Sequence, residues 1–287
     1  MQTYPKVFAI VLNYNGKDSL IPCLDSIYRS SYPNLEIIVI DNNSKDGSFE
    51  QAKEKFQKFH FIKNSQNLGF GAGNNVAIRF ALEKMADYVF LLNNDALVEK
   101  DAIDKLVNEA EKNPRNGILS PLILSGNKKD VWFAGGKILW NKMRTIHLYK
   151  TLSSNPYPTE YISGCAMLIR QKVFEEIGLF DEQFFLYYED ADLSIRACRH
   201  NFSLLMVPQA IAYHFEKSEQ LNPQKLYWLV LSAVIFFKKN STWTKKLWII
   251  FYIFLRKMKN WFNLRIKKTE QALQIQRAFQ DYKKTAK

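Results

Sequence analysis

Four short apolar runs in the first 93 residues each stop at a cluster of amide, acid or glycine residues. "KVFAIVL" (Lys6–Leu12) stops at "NYNG", and "EIIVID" (Glu36–Asp41) runs into "NNSKDGS". "FHFIK" (Phe59–Lys63) is followed by "NSQNLGFGAGNN" (Asn64–Asn75), and "DYVFLLN" (Asp87–Asn93) by Asn94 and Asp95. Runs this short and this rich in β-branched residues predict fully buried strands. Helical spacing of Leu20, Leu24 and Ile27 within Ser19–Ser30, and helices over Ser48–Lys58, Asn74–Lys84 and Lys100–Lys112, complete the alternation. Strands separated by helices pair in parallel, so the chain reads as an α/β fold, a mainly parallel sheet with helices on both faces. Ligands of such sheets collect beyond the carboxyl ends of the strands, where all four polar clusters fall.

Any one cluster is also a good turn, because Asn, Asp and Gly are turn formers. Four converging on one edge point to nucleotide binding. Asp41 ends a strand, where a carboxylate can accept from a base N–H or a ribose hydroxyl. Gly69, Gly71 and Gly73 allow close backbone approach, and the helix after them offers its N-terminus to a diphosphate. Neither GxGxxG nor GxxxxGK[ST] occurs, which disfavours dinucleotide oxidoreductases and P-loop enzymes. In "VFLLNNDALV", Asp95 with Asn93 on the same pleat face offers oxygens to a hard divalent ion. The same residues also suit an Asx turn leading into a helix near Glu99.

The alternation decays after Pro121. "VWFAGGKILW" and "RTIHLYK" read as strands around a turn at Gly135–Gly136, and "YISGCAMLIR" as a further strand. "QKVFEEIG" reads as a short helix closed by Gly178 and "ADLSIRACRH" (Ala191–His200) as another. "SLLMVPQAIAYHF" reads as strand segments broken by Pro208. Glu189, Asp190 and Asp192 stand at a helix start, where the dipole favours acids and one can act as cap. Arg196, one turn past Asp192, predicts an i,i+4 salt bridge. Trp132 and the glycine pair would either stack on a ligand or pack a hairpin.

In this order, "VLNYNG", "VIDNNSKDGS", "NLGFGAGNN", "LLNNDA", "ISGCAMLIRQKVFEEIGLFDEQFFLYYEDADLSIRA" and the late His214 resemble the family-2 glycosyltransferases of the GT-A (Rossmann-like) fold. The likeness is to the branch that includes rhamnosyltransferases and covers Lys6 to Phe215. It implies inverting, metal-assisted transfer of a sugar, rhamnose above others, from a dTDP- or UDP-sugar to a hydroxyl of a glycan or lipid-linked glycan. By that resemblance Asn13 and Asp41 hold base and ribose, and Asn15, Asn43, Asn67, Gly69, Asn74 and Asn94 complete the donor site. Asp95 takes the metal position of the DxD motif and His214 the late metal-binding histidine, for Mg²⁺ or Mn²⁺. Asn93 stands where the motif's first aspartate is usual, which lowers the ligand charge. Asp190 matches the general base, with Glu189 orienting it or touching acceptor hydroxyls.

The net charge of +12 is segregated. Residues 238–287 hold fourteen Lys/Arg and two acids, leaving 26 of each sign in residues 1–237. The chain therefore divides into a body, 1–222, and a basic, aromatic-rich helical tail, 223–287. Within the tail, "LYWLVLSAVIFF" (Leu226–Phe237) and "LWIIFYIFL" (Leu247–Leu255) are too short to span a bilayer, which takes about 20 residues. Bases and tryptophans flank both, the pattern of an interfacial helix on anionic lipid. The N-terminus shows no signal peptide, so the expected location is cytoplasmic, peripheral on the inner face of the cell membrane. Three scattered cysteines argue against a disulfide framework or a cysteine zinc site. No nucleic-acid partner is expected, because the tail's aromatics cluster with Ile and Leu. The polar last helix could pair with a second copy. The competing readings are a non-catalytic nucleotide-sugar-binding module and a membrane- or nucleic-acid-binding protein acting through the basic tail.

Overall fold

The computed structural model describes residues 4–215, 223–266 and 268–285. Its first half alternates as expected: β1 (Val7–Asn13), α1 (Leu20–Tyr28), β2 (Leu35–Asp41), α2 (Ser48–Lys55), β3 (His60–Lys63), α3 (Phe70–Glu83), β4 (Tyr88–Asn93), β5 (Ala96–Val98), α4 (Ala102–Glu111) and β6 (Asn116–Ser125). The second half adds β7 (Val131–Phe133), β8 (Gly136–Leu139), β9 (Arg144–His147), β10 (Tyr157–Pro158), β11 (Ala166–Arg170), α5 (Gln171–Ile177), α6 (Glu189–Arg199) and β12 (Ser203–His214). Three helices close the chain: α7 (Pro223–Asn240), α8 (Trp243–Ile266) and α9 (Glu270–Thr285).

The main sheet runs in the order β3-β2-β1-β4-β11-β6-β12-β10. Its long strands are parallel except β11, which is antiparallel to both neighbours. Successive side chains of a strand face opposite ways, so both sides of the sheet carry a core. Val7, Ala9 and Val11 pack with α1, α2, α4 and α7 on one face. Phe8 and Ile10 pack with α3, α5 and α6 on the other.

Three expectations change. Asp95 leads not into a helix at Glu99 but into the short strand β5, antiparallel to β12. The Gly135–Gly136 pair joins β7 to β8, whereas the β8–β9 hairpin turns at Trp140–Met143. A side chain at Gly136 would meet the Tyr161 ring at 2.1 Å, so that position is small because Tyr161 packs there. Pro208 does not break the late strand. β12 shifts register between Val207 and Ile211 and carries the proline in the irregularity, where a missing N–H costs no ladder bond.

The tail divides differently from the boundary at 222/223. Val230, Leu231, Val234, Ile235, Phe236 and Phe237 of α7 are buried in the same core as the sheet. The apolar run Leu226–Phe237, expected at a membrane, is therefore largely core. Polar bonds fasten its end. Asp192 of α6 is fully buried and accepts from Arg196 Nε at 2.8 Å and Asn240 Nδ2 at 2.8 Å, and pairs with Lys239 Nζ at 2.9 Å. The Asp192–Arg196 pair is the i,i+4 bridge expected from spacing. Removing the carboxylate takes the buried partner from Arg196 and from Asn240 Nδ2, while Lys239 keeps Asp181 at 2.6 Å. Asp192→Ala is expected to cost about 3–5 kcal/mol, seen in urea unfolding as a lower midpoint at unchanged slope.

Candidate active site

The carboxyl ends of β1, β2 and β4 meet in one hydrogen-bonded knot. β1 and β2 pair with Asn13 beside Asp41, and strand alternation turns both toward the face that holds α1 and α2. Asn13 Nδ2 donates to Asp41 Oδ1 at 2.8 Å, Ser44 Oγ at 3.1 Å and Ser48 Oγ at 2.9 Å. Asn94 Nδ2 returns a bond to Asn13 Oδ1 at 3.1 Å. Ser44 N donates to Asp41 Oδ2 at 2.9 Å. Asn13 and Asp41 are fully buried. Gly16 is obligatory beside them: a Cβ there would meet Asn94 Nδ2 at 2.4 Å and Asn13 Oδ1 at 2.5 Å.

Over this knot opens a cleft of about 900 Å³. Of the expected site residues, Asn15, Asn93, Asn94, Asp95 and His214 line it. Asn15, at φ 53°, is held by Ser44 Oγ and accepts from Lys45 N at 2.9 Å. The spacing argument missed Lys17, Lys225, Leu186 and Tyr187, which also line the cleft. Asn43, Asn67, Gly69 and Asn74 do not line it. Asn43 Nδ2 donates to Ser65 O, Asn74 Nδ2 to Phe70 O, and Asn67 Oδ1 accepts from Asn42 Nδ2 and Gly69 N. The start of α3 is also covered, because Phe70 N donates to Phe185 O at 2.9 Å. Gly69, at φ 83°, allows this: a Cβ would lie 2.2 Å from that oxygen. The α3 N-terminus, expected to face a diphosphate, is occupied by the protein itself.

On the cleft wall His214 Nε2 lies 3.1 Å from Asp95 Oδ1. His214 is 6% exposed, and its Nδ1 has no hydrogen-bond partner. Trp132 packs edge-on against its ring, centroids 4.3 Å apart, so this tryptophan fixes the imidazole plane. Burial alone would raise the Asp95 carboxyl, but the hydrogen bond and charge of His214 outweigh it and hold the carboxyl below the usual range. A carboxylate beside an imidazole is a donor pair suited to a divalent cation that takes its remaining positions from phosphate and water. Among the described residues no third His, Cys, Asp or Glu joins them.

Asp190 is not on the cleft wall itself but is bonded to it in two steps. Its Oδ2 accepts from Gly164 N at 3.0 Å, and Cys165 O, the next residue on, accepts from Asn93 N at 2.9 Å. Asp190 and the Asn93–Asp95 turn therefore share one edge of the sheet, on β11 and β4. The loop before Asp190 is strained: Tyr187 and Tyr188 both have positive φ, 69° and 68°, costing about 1–2 kcal/mol each. Helix α7 holds it. Ser232 Oγ donates to Leu186 O at 2.8 Å, Trp228 stacks on Phe185 at 4.4 Å, and Phe236 packs on Tyr188 at 5.2 Å.

The two adjacent carboxyls differ in surroundings. Asp190 Oδ1 also accepts from Ala191 N at 2.7 Å, so both its oxygens have backbone donors. Burial raises its pKa and these bonds pull it back. Glu189 is 5% exposed with Oε2 unpartnered, and burial, then the Asp190 charge, push its pKa well up. Glu189 lies inside the protein, beside Asp190. A carboxyl whose native pKa exceeds its unfolded value favours the native state at low pH and loses that contribution as pH rises through the native value. The melting temperature of Glu189→Gln, relative to the parent, is therefore expected to rise between pH 5 and pH 8. A difference independent of pH would mean that Glu189 titrates normally.

Comparison with known proteins agrees with this fold. The chain is 27% identical over 229 residues to an N-acetylglucosaminyl-diphospho-decaprenol L-rhamnosyltransferase of Mycobacterium tuberculosis, covering 71% of this chain and 74% of that protein. It is 23% identical over 245 residues to the dTDP-rhamnosyl transferase RfbF of Shigella flexneri, covering 82% and 80%. Among solved structures, GalNAc-T7 with UDP, GalNAc and Mn²⁺ superposes with a TM-score of 0.66 at 19% identity over 81% of this chain. The match spans 48% of that protein, about half its length, and shows a common fold. Residues 8–178, more than half of the chain, match the model of Glycosyl transferase family 2, and the chain belongs to that family.

Proposed function

We propose that the protein transfers a sugar, rhamnose above others, with inversion from a dTDP- or UDP-sugar to a hydroxyl of a lipid-linked glycan. The observation that carries this reading is the two-step hydrogen-bond path from Asp190 through Gly164 and Cys165 to Asn93, beside Asp95. It supports a reading in which Asp190 and the Asp95–His214 pair act together at one strand edge. The M. tuberculosis relative is named for rhamnose and a lipid-diphosphate acceptor, and the S. flexneri one for dTDP-rhamnose. The enzyme would work at the inner face of a membrane, where such acceptors lie. Among the described residues no helix is long and apolar enough to cross one.

The donor occupies the cleft with its nucleoside over the Asn13–Asp41 knot. Buried and mutually bonded, these two shape the floor through Asn94 and Asn15 rather than by direct contact. Lys17 and Lys225 bring positive charge to the diphosphate. Asp95 and His214 would hold a divalent cation, which supplies charge opposite the departing nucleoside diphosphate. Each Asp190 oxygen keeps a lone pair beyond its backbone bond. One takes the acceptor's hydroxyl proton as the acceptor oxygen bonds to the anomeric carbon. The anomeric C–O bond to the diphosphate breaks in the same displacement, and the electron pair leaves with the nucleoside diphosphate. Burial and the charge of Asp190 both disfavour a second negative charge on Glu189, behind the base.

A panel of UDP- and dTDP-sugars, with Mg²⁺ or Mn²⁺, tests the donor. A dTDP- or UDP-sugar is expected to raise the melting temperature only with metal and to turn over slowly to the free nucleotide. No stabilisation and no turnover across the panel would refute the assignment.

A further inference from the structure

Of the two apolar runs in the tail, only one is spent on the core. Helix α8 buries Ile249, Ile253 and Asn260 toward the protein. Its opposite side leaves Leu247, Ile250, Phe251, Phe254, Met258 and Trp261 exposed, each between 43% and 63%. At about 100° per residue these six fall on one stripe. The buried positions fall on the far side, and on one flank Trp248 Nε1 anchors to Asn141 O at 3.1 Å. The same reckoning sets Lys246 and Lys257 along one border of the stripe and Lys259 along the other. No Asp or Glu occurs anywhere in α8.

We infer that this face of α8, and not α7, seats the protein on an anionic lipid surface. Charge complementarity decides the occupant. A stripe of large apolar side chains bordered by lysines matches acyl chains beneath anionic headgroups. A second copy would bring the same uncompensated positive charge against itself, with no acid on the helix to meet it. The stripe is continuous over some four turns, longer than the scattered apolar residues of an ordinary surface. Tryptophan at its end suits the headgroup boundary, where an apolar ring with one polar N–H sits well. The inference rests on the lipid-linked acceptor for its purpose only, since the contact itself needs no sugar.

The test is flotation of the full chain with phosphatidylcholine vesicles, with and without phosphatidylglycerol. The parent is expected to float with phosphatidylglycerol and to release as salt rises from about 0.1 M to about 1 M. Phe251→Glu/Phe254→Glu should weaken vesicle binding more than about tenfold, with melting temperature and donor turnover unchanged. Lys246→Gln/Lys257→Gln/Lys259→Gln should weaken binding to the anionic vesicles alone. Equal flotation of parent and both variants would overturn the inference. So would a parent that ignores vesicles and sediments as a dimer that Phe251→Glu/Phe254→Glu splits, the sign that the stripe pairs two copies. A parent that floats but turns over no donor would defeat the proposed function and leave the lipid contact standing.

Discussion

Asp190→Asn is expected to lower kcat by about 10²–10⁴-fold, the usual worth of a positioned base, while the donor's binding constant stays near the parent's. The amide keeps the shape, and its oxygen can still accept from Gly164 N or Ala191 N. It cannot take a proton. In the proposed function, donor binding belongs to the cleft walled by Asn94, Asp95 and His214, two hydrogen bonds away. Isothermal titration with donor and metal, set beside turnover, separates the two. Equal loss of both would show that Asp190 is structural, and full activity would move the base elsewhere. The parent's rate should fall with acid, because the base must be ionised, and burial sets that fall above the ordinary carboxylate range.

Asp95→Ala should have the opposite signature. Its carboxylate is the partner of His214 and the one acid among the cleft-lining residues that also faces that imidazole. Losing it removes the anionic half of the proposed cation site and takes the Asp95 partner from a buried imidazole. The expected result is a loss of about 10²-fold or more in kcat/KM, with a weaker response of melting temperature to Mn²⁺. Because Asn13 and Asp41 bond to each other, the knot should survive, and nucleoside alone should bind as before. An unchanged metal titration would remove Asp95 from the cation site.

The parallel half was readable because β-branched runs bounded by turn residues leave few alternatives, and β1 to β4 fall within two residues of their expected spans. The direction of Asn13 and Asp41 was also present in the letters. Asn13 shares parity with Val7, Ala9 and Val11, and Asp41 with Ile37 and Val39, so both had to turn toward the α1–α2 face. Counting alternate residues would have buried them. What separates α7 from α8 was not legible. A twelve-residue apolar run suits a core as well as a lipid boundary, and only the surface offered by α6, Trp140 and the 184–188 loop decides between them. The cover over α3 was hidden for a like reason: Phe185 lies more than a hundred positions from the amide it caps. Pro208 misled because one bulge absorbs it without ending the strand.

Tyr187 and Tyr188 adopt a backbone state that their own chemistry disfavours, and α7 is what keeps them there. Shortening the chain ahead of that helix would let the backbone before the base relax. A trimmed enzyme could then hold its donor and stay silent, for reasons unrelated to lipid. Moving that loop into a relative would accordingly need the helix moved with it, as one cassette.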